Sequence, residues 1–280
     1  MREALFYTRK NDNKVVCGLC PHRCSIAPGA TGICGVRRNT DGVLQTLVYG
    51  RVIAEHIDPI EKKPLFHFYP GSRAYSIATA GCNLSCRHCQ NAEISQMPRD
   101  QGVVLGGNRS PEDIVRAARE SGCASISYTY TEPTVYFEFA LACAKLARAE
   151  GIRNNFVTNG YINPEPLEQI SPYLDAANID LKAFSEDFYQ TICGARLQPV
   201  LDTIRLYKRL GIWIEITTLL IPGLNDGQRE LDQIAGFLAS IGTDIPWHVT
   251  AFYPTYRMLD RPRTGIETLT RAPEIGLQAG

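Results

Sequence analysis

The 280 residues carry no net charge, no apolar run long enough to cross a bilayer and no hydrophobic segment behind the amino terminus. Each absence excludes something. Lys and Arg number 29 and so do Asp and Glu, so there is no basic surplus of the kind that neutralises nucleic-acid phosphates or adheres to anionic lipid. Neither nucleic acid nor a membrane is expected as a partner. The opening residues, Met1-Arg2-Glu3-Ala4-Leu5-Phe6-Tyr7-Thr8-Arg9-Lys10, have no h-region, and a chain with neither leader nor span is expected in the cytoplasm. There, ten cysteines point to metal or redox chemistry rather than to a disulfide framework. The length suits one or two domains with a large core.

Seven of the ten cysteines fall in two tight groups, while Cys123, Cys143 and Cys193 stand alone and read as small core fillers. The first group, Cys17, Cys20 and Cys24 with Cys34 beyond a Pro/Gly-rich loop, supplies four thiolates that include a C-x2-C knuckle. Four thiolates close a metal site, and their sulfurs are expected to converge. A zinc ion stapling an N-terminal lobe is the favoured reading and an auxiliary iron–sulfur cluster the alternative, because thiolates suit both. His22 reads as a surface residue rather than a substitute ligand. The second group is Cys82-Asn83-Leu84-Ser85-Cys86-Arg87-His88-Cys89, spaced C-x3-C-x2-C directly after a strand-like run, Ala74–Ala78. Structural zinc and a full iron–sulfur cubane each take four protein ligands. Three thiolates on one loop leave a fourth position open, and an open position is a reactive one. A zinc loop closed by His88 is the competing reading, but His88 abuts Cys89 and closure there is awkward.

Between the groups, residues 42–68 read as a β-rich bridge, with Lys62 and Lys63 solvated. Residues 1–72 are therefore expected to form a Cys-rich N-terminal extension and 73–280 the core domain. From Ala74 onward strand and helix alternate, with strands near 74–80, 123–130, 152–158, 175–182, 212–221 and 247–253. Ser110-Pro111-Glu112-Asp113 reads as an N-cap, an N1 proline and an acidic first turn. Repeated β-α units argue for a parallel sheet with right-handed crossovers. The strands are apolar on one face only. Ser125, Ser127 and Thr129 oppose Ile126, Tyr128 and Tyr130; Asn178, Asp180 and Lys182 oppose Ala177, Ile179 and Leu181; Glu215 and Thr217 oppose Ile214 and Ile216; His248 and Thr250 oppose Trp247 and Val249. A flat sheet covered on both sides would be apolar on both. A curved sheet around a wet interior is expected instead, with ligands entering at the carboxyl ends of the strands.

The C-x3-C-x2-C loop with Arg87 and His88 before its third cysteine resembles that of the radical S-adenosylmethionine (SAM) superfamily. The resemblance implies an α/β fold built as a partial (β/α)6 barrel. It implies a [4Fe-4S] cluster on Cys82, Cys86 and Cys89, the catalytic cysteines, whose open iron chelates SAM. One electron then cleaves the sulfonium to a 5′-deoxyadenosyl radical that abstracts hydrogen from a substrate. Thr131-Glu132-Pro133 follows the second strand where the superfamily places an acceptor for the SAM ammonium. Read from its residues alone, Glu132 could equally complement the dipole of the following helix. Thr158-Asn159-Gly160 and Asp180-Leu181-Lys182 resemble SAM- and cation-binding motifs of the pyruvate formate-lyase activating enzyme. Val157 stands where that relative has an acid, which sets the cation site aside, and Asp180 with Lys182 could be a plain ion pair. Ile221-Pro222-Gly223-Leu224 fits a type II turn. His248 faces the inferred cavity, either positioning SAM or substrate or hydrogen-bonded in the interior.

A narrower likeness covers almost the whole chain. Cys17-Gly18-Leu19-Cys20-Pro21-His22-Arg23-Cys24, Cys34-Gly35-Val36-Arg37-Arg38-Asn39, Glu61-Lys62-Lys63-Pro64-Leu65-Phe66-His67-Phe68 and Cys89-Gln90-Asn91 are similar to the radical SAM member of the AmmeMemoRadiSam system. That implies Memo-like and AMMECR-type partners, and a flavodoxin- or ferredoxin-like electron donor. Such members usually continue past the point matching Gly280, so a truncated copy is the expectation. The implied function is a radical SAM oxidoreductase-like enzyme of unknown substrate. The alternatives are a glycyl-radical enzyme activase and a non-catalytic, metal-stapled scaffold.

Overall fold

The six strands expected from Ala74 onward lie side by side in chain order. The computed structural model describes residues 1–280. In it β1 (Arg73–Thr79), β2 (Ser125–Tyr128), β3 (Arg153–Thr158), β4 (Ala176–Asp180), β5 (Trp213–Leu220) and β6 (Trp247–Ala251) pair in parallel, each with the next. On the free side of β1, strand Arg51–Pro59 runs antiparallel, followed by the short pair partner Gly107–Asn108. The sheet does not close on itself. It is the expected partial barrel.

Helices cover the outer face: α1 (Pro111–Glu120), α2 (Phe137–Ala149), α3 (Pro164–Ile170), α4 (Leu197–Arg209), α5 (Gln228–Ile241) and α6 (Ile266–Ala279). The start of α1 is the capping box read from the sequence. Asp113 N donates to Ser110 Oγ at 3.1 Å and Ser110 N to the Asp113 carboxylate at 3.0 Å, reciprocally satisfying two backbone donors. Ile126, Tyr128, Phe156, Ile179 and Ile216 turn their apolar face to the helices and are fully buried with Ile114, Leu167 and Ile204. The other face is polar and bonded to itself across strands. Ser127 Oγ donates to Asn155 Oδ1 at 2.6 Å, and Asn178 Nδ2 donates to Thr217 Oγ1 at 2.9 Å. The interior is polar, as the alternation leads one to expect.

One end of the barrel is plugged. Ile60, Leu65 and Phe68 pack on Ala74, Ala176 and Trp213 at the amino ends of β1, β4 and β5. Asn178 Nδ2 donates to Pro64 O at 3.0 Å, while the backbone N–H groups of Phe66 and His67 reach the Glu215 carboxylate at 3.0 and 2.8 Å. The N-terminal residues form two small three-stranded antiparallel sheets beside the barrel. One apolar cluster runs from Val15 and Leu19 through Phe137 and Ile204, so the N-terminal segment shares the barrel's core.

Three side chains in and beside the barrel, and His22 in the N-terminal segment, depart from their sequence reading. Alternation puts Tyr130 on the apolar face, but a φ of 64° there breaks the strand period. Its hydroxyl turns instead to Asp58. Lys63, read as solvated, is buried and bonded to the same carboxylate, Nζ to Oδ2 at 2.6 Å. Cys193, read as a core filler, lies with its sulfur within 4.8 Å of that of Cys86.

Candidate active site

The cysteine loop leaves the carboxyl end of β1. Gly81 opens it with a φ of 101°, and a Cβ there would meet Val36 Cγ1 at 2.7 Å and Cys34 O at 3.1 Å. Only glycine fits both the backbone and the close approach to the N-terminal segment. Further along, Ser85 N donates to Cys193 O at 2.8 Å and Arg87 N to Ile192 O at 3.0 Å, which pins the loop against the turn after β4. The Cys82 sulfur accepts from Leu84 N at 3.4 Å and Asn159 Nδ2 at 3.6 Å, and Asn159 Nδ2 also donates to Asn83 Oδ1 at 2.9 Å. Cys89 Sγ lies 3.1 Å from Ser95 Oγ. All ten cysteines are free thiols.

Cys82, Cys86 and Cys89 open onto one cavity of about 470 Å³ at the carboxyl ends of the strands, with Thr158, Asn159, Asp180 and Lys182 on its walls and Lys62, Lys63 and Pro64 beneath. Asp180 and Lys182 form the expected ion pair at 3.0 Å. Burial and the neighbouring charges of Glu132 and Cys86 push the Cys82 thiol well up. Burial raises Cys89 also. Cys86 is pulled the other way, by hydrogen bonding from Cys193 above all and also by the nearby Lys182 ammonium. His88 is buried and held neutral, its pKa lowered to about 3 by desolvation and by Lys182. Its Nδ1 has no hydrogen-bond partner.

A family model for the radical SAM superfamily matches residues 76–235, the barrel up to α5. The chain belongs to the radical SAM superfamily. It is 47% identical over 281 residues to an uncharacterized protein of Methanocaldococcus jannaschii, covering all of this chain and 83% of that one. Two activating enzymes are more distant. The pyruvate formate-lyase-activating enzyme of Streptococcus mutans is 22% identical over 183 residues, 61% of this chain and 68% of its own. The isethionate sulfite-lyase activating enzyme of Nitratidesulfovibrio vulgaris is 24% identical over 189 residues, 63% of this chain and 61% of its own. Among solved structures, TYW1 with a lysine-pyruvate adduct bound aligns at a TM-score of 0.56 and 17% identity over 78% of this chain and 77% of that one. A radical SAM methyltransferase from Sphaerobacter thermophilus aligns at 0.56 and 18%, over 76% and 65%. These likenesses show a shared fold.

Radical SAM membership implies a [4Fe-4S] cluster and SAM, and the residues present fit both. Three unbridged thiols face one polar cavity, N–H donors already address the Cys82 sulfur, and the orphaned His88 Nδ1 offers an unmet hydrogen bond to an incoming ligand. Thiols held protonated by burial release those protons when a metal takes their place. Glu132 stands behind the wall rather than on it. Its Oε1 accepts from Thr134 N at 3.0 Å, Thr134 Oγ1 at 2.6 Å and Thr158 Oγ1 at 2.8 Å, and its Oε2 from Asn159 N at 2.8 Å. The carboxylate thereby fixes the two residues that do line the cavity. His248 is likewise engaged elsewhere, its Nε2 on Glu215 at 2.6 Å. Cys17, Cys20, Cys24 and Cys34 all border a second, small cavity of about 20 Å³ beneath the N-terminal sheets. Burial pushes the Cys34 thiol there up to about 11. His22, read as a surface residue, caps the cluster loop, its Nε2 2.8 Å from Asn83 O.

Sequence reasoning missed the neighbours of these groups. The ligating atoms of Cys86, His88 and Cys193 lie within 4.8 Å of one another. Gly194 makes this approach possible: with a φ of 68°, it abuts Ser85, and a Cβ would meet Ser85 Oγ at 2.3 Å. Below the cavity, Asp58 accepts from Lys62 at 2.8 Å, from Lys63 at 2.6 Å and from the Tyr130 hydroxyl. Burial alone would raise this carboxyl, but the three donors outweigh it and hold its pKa far below the usual 3.8. A depressed carboxyl contributes stability that is present above its unfolded value and is lost as pH falls toward the folded one. Asp58→Asn is therefore expected to cost about 3 kcal/mol at neutral pH, because Lys63 is left buried and unpaired. Urea titrations at pH 7 and at steps below 4 should show the gap to the unaltered protein narrowing only below pH 3.8. A gap independent of pH would show that the charge on Asp58 is not what matters.

Proposed function

We propose that this chain cleaves SAM reductively and directs the resulting radical at a substrate held above the Lys62-Lys63-Pro64 floor of the cavity. The observation that carries this is the convergence of Cys82, Cys86 and Cys89 with Asp180, Lys182, Thr158 and Asn159 on one polar cavity at the strand ends. When bound, a [4Fe-4S] cluster with an open iron supplies the electron that breaks the sulfonium carbon–sulfur bond and yields a 5′-deoxyadenosyl radical. The protein's own residues bind, orient and exclude water. Cys82, Cys86 and Cys89 hold the cluster, and Leu84 N–H and Asn159 Nδ2 stabilise negative charge on the Cys82 sulfur. The Asp180–Lys182 pair offers a carboxylate to the SAM ammonium and an ammonium to its carboxylate. Glu132 acts as a positioning residue through Thr158 and Asn159. The buried, neutral His88 on the cavity wall offers its unpartnered Nδ1 to the bound nucleotide.

Cys17, Cys20, Cys24 and Cys34 we assign to a second metal, a structural zinc or an iron–sulfur cluster, supported by their common cavity and unbridged state. The free thiols also support a reducing, cytoplasmic setting. No helix is long and apolar enough to cross a membrane. The electron donor is proposed to be flavodoxin- or ferredoxin-like, and the biological setting an AmmeMemoRadiSam system with Memo-like and AMMECR-type partners. A second reading, activation of a glycyl-radical enzyme, is favoured by the activating-enzyme relatives. Incubation of the reconstituted protein with reductant, unlabelled SAM and deuterium-labelled candidate substrates or partner proteins separates the two. Deuterium recovered in 5′-deoxyadenosine from a small molecule supports the first reading. Deuterium from a glycine-labelled partner, with a glycyl radical signal, supports the second. Product without any label from either class would set aside both substrate assignments.

A further inference from the structure

At the end of the barrel away from the cysteine loop, two imidazoles converge on one carboxylate oxygen. Glu215 lies on β5 with its side chain fully buried. Its Oε1 accepts from His67 N at 2.8 Å and Trp213 Nε1 at 3.1 Å, which fills two lone pairs. Its Oε2 is approached by Phe66 N at 3.0 Å, His248 Nε2 at 2.6 Å and His67 Nδ1 at 3.3 Å. Three nitrogens thus crowd an oxygen that has two lone pairs. A divalent cation shared by the imidazoles and the oxygen relieves the crowding: the ring nitrogens ligate it, and Oε2 keeps one bond to the ion and one to the Phe66 N–H. We propose that His67, Glu215 and His248 form a divalent-metal site, of the kind that takes zinc, which locks the plug Ile60–Phe68 into the barrel floor.

The ligand set is two imidazole nitrogens and one carboxylate oxygen, with no sulfur, so it is chemically separate from both cysteine groups and suits a borderline divalent ion rather than an iron–sulfur cluster. The three atoms lie within 4.8 Å of one another. Zinc bonds of about 2.0–2.1 Å call for ligand atoms roughly 3.3 Å apart in a tetrahedron. His67 Nδ1 already stands 3.3 Å from Oε2, and its side chain, 59% exposed, is free to adjust about the ion. Glu215 is buried and supplies the fixed oxygen, and His248 Nε2 must draw back from its 2.6 Å hydrogen-bond spacing to admit the ion. The exposed side of His67 leaves the fourth position to water. Trp213 and the His67 N–H brace the other carboxylate oxygen, the kind of outer support that orients a metal-binding carboxylate. Because His67 belongs to the plug and the other two to β5 and β6, the ion cross-links the segment that carries Lys62, Lys63 and Pro64 to the barrel. The conspicuous Glu61–Phe68 stretch thus gains a reason for its histidine.

The test uses the anaerobically reconstituted full chain, equilibrated with a small excess of zinc and desalted. Zinc and iron per chain are measured by mass spectrometry, and the zinc first shell by X-ray absorption. The unaltered protein should hold a zinc population with a nitrogen and oxygen shell. His67→Ala should weaken that population at least tenfold, with iron content and any sulfur-bound zinc unchanged. Zinc should raise the melting temperature of the unaltered protein more than that of the variant. Equal nitrogen–oxygen zinc in both proteins, or zinc bound through sulfur alone, would overturn the site and leave a hydrogen-bonded brace. Should His67→Ala fail to fold, cobalt(II) added to the unaltered protein decides instead. Visible d–d bands beyond those that accompany thiolate charge transfer support the site, and thiolate-type spectra alone refute it.

Discussion

Cys86→Ala is expected to lose the iron–sulfur cluster and to reduce 5′-deoxyadenosine formation from SAM to the protein-free background. The residue is buried on the cavity wall, and its loop is pinned on either side by the Ser85 and Arg87 N–H bonds to Cys193 and Ile192 carbonyls. Alanine keeps those backbone bonds, so the loss should be one of ligation rather than of fold. The neighbouring Cys193 makes the experiment sharper, because its sulfur lies within 4.8 Å of that of Cys86 and could stand in for it. Cys193→Ala alone should retain the cluster, and Cys86→Ala with Cys193→Ala should remove any residue of it. Iron content, the visible absorption of the oxidised protein, the paramagnetic signal of the reduced one and chromatography of the nucleoside products provide the readings. Undiminished product from the double variant would end the assignment of the loop to the cluster. A cluster lost from Cys193→Ala alone would mean that a fourth protein thiol holds it and no position is left open for SAM.

Much of the barrel was legible because its signals are local. The alternation of strand-like and helical runs located all six strands within a few residues, and four strands apolar on one face only already implied a curved sheet with a polar interior. The Ser110–Asp113 cap and the cysteine spacing are likewise short-range patterns. The relations around the site are not. Lys63 meets Tyr130, His67 meets Glu215 and Ser85 meets Cys193 across 67, 148 and 108 residues of chain. No periodicity carries such information. Tyr130 shows the limit within a single strand: one residue with a positive φ moves its side chain from the helix-facing side to the floor of the cavity. Glu132 shows another. Its position after β2 was readable, but whether it faces a ligand or supports Thr158 and Asn159 depends on where β3 ends beside it.

Arg37→Leu is expected to destabilise the chain by about 3–5 kcal/mol, the range for removing one partner of a buried pair. Arg37 and Glu138 are both buried and meet at 3.0 Å. Arg37 Nη2 also donates to Leu5 O at 2.6 Å, and Leu5 N donates to Glu138 Oε1 at 2.7 Å. The four groups sew the N-terminal sheets onto α2. Leucine in place of Arg37 leaves the Glu138 carboxylate with a single N–H donor in an apolar setting, which is the costly half of breaking such a pair. Replacing Glu138 by leucine as well removes that stranded charge, so the double variant should recover much of the loss. In thermal unfolding the single variant should fall on the order of 10 °C and the double one by less. The consequence should reach the active site. Gly81, the first residue of the cluster loop, packs on Val36, the neighbour of Arg37. A loosened N-terminal segment therefore removes the wall against which that loop is set. Iron retained after reconstitution should drop in Arg37→Leu and return in the double variant. Full cluster loading in a destabilised Arg37→Leu would show instead that the cysteine loop holds its shape without the N-terminal segment behind it.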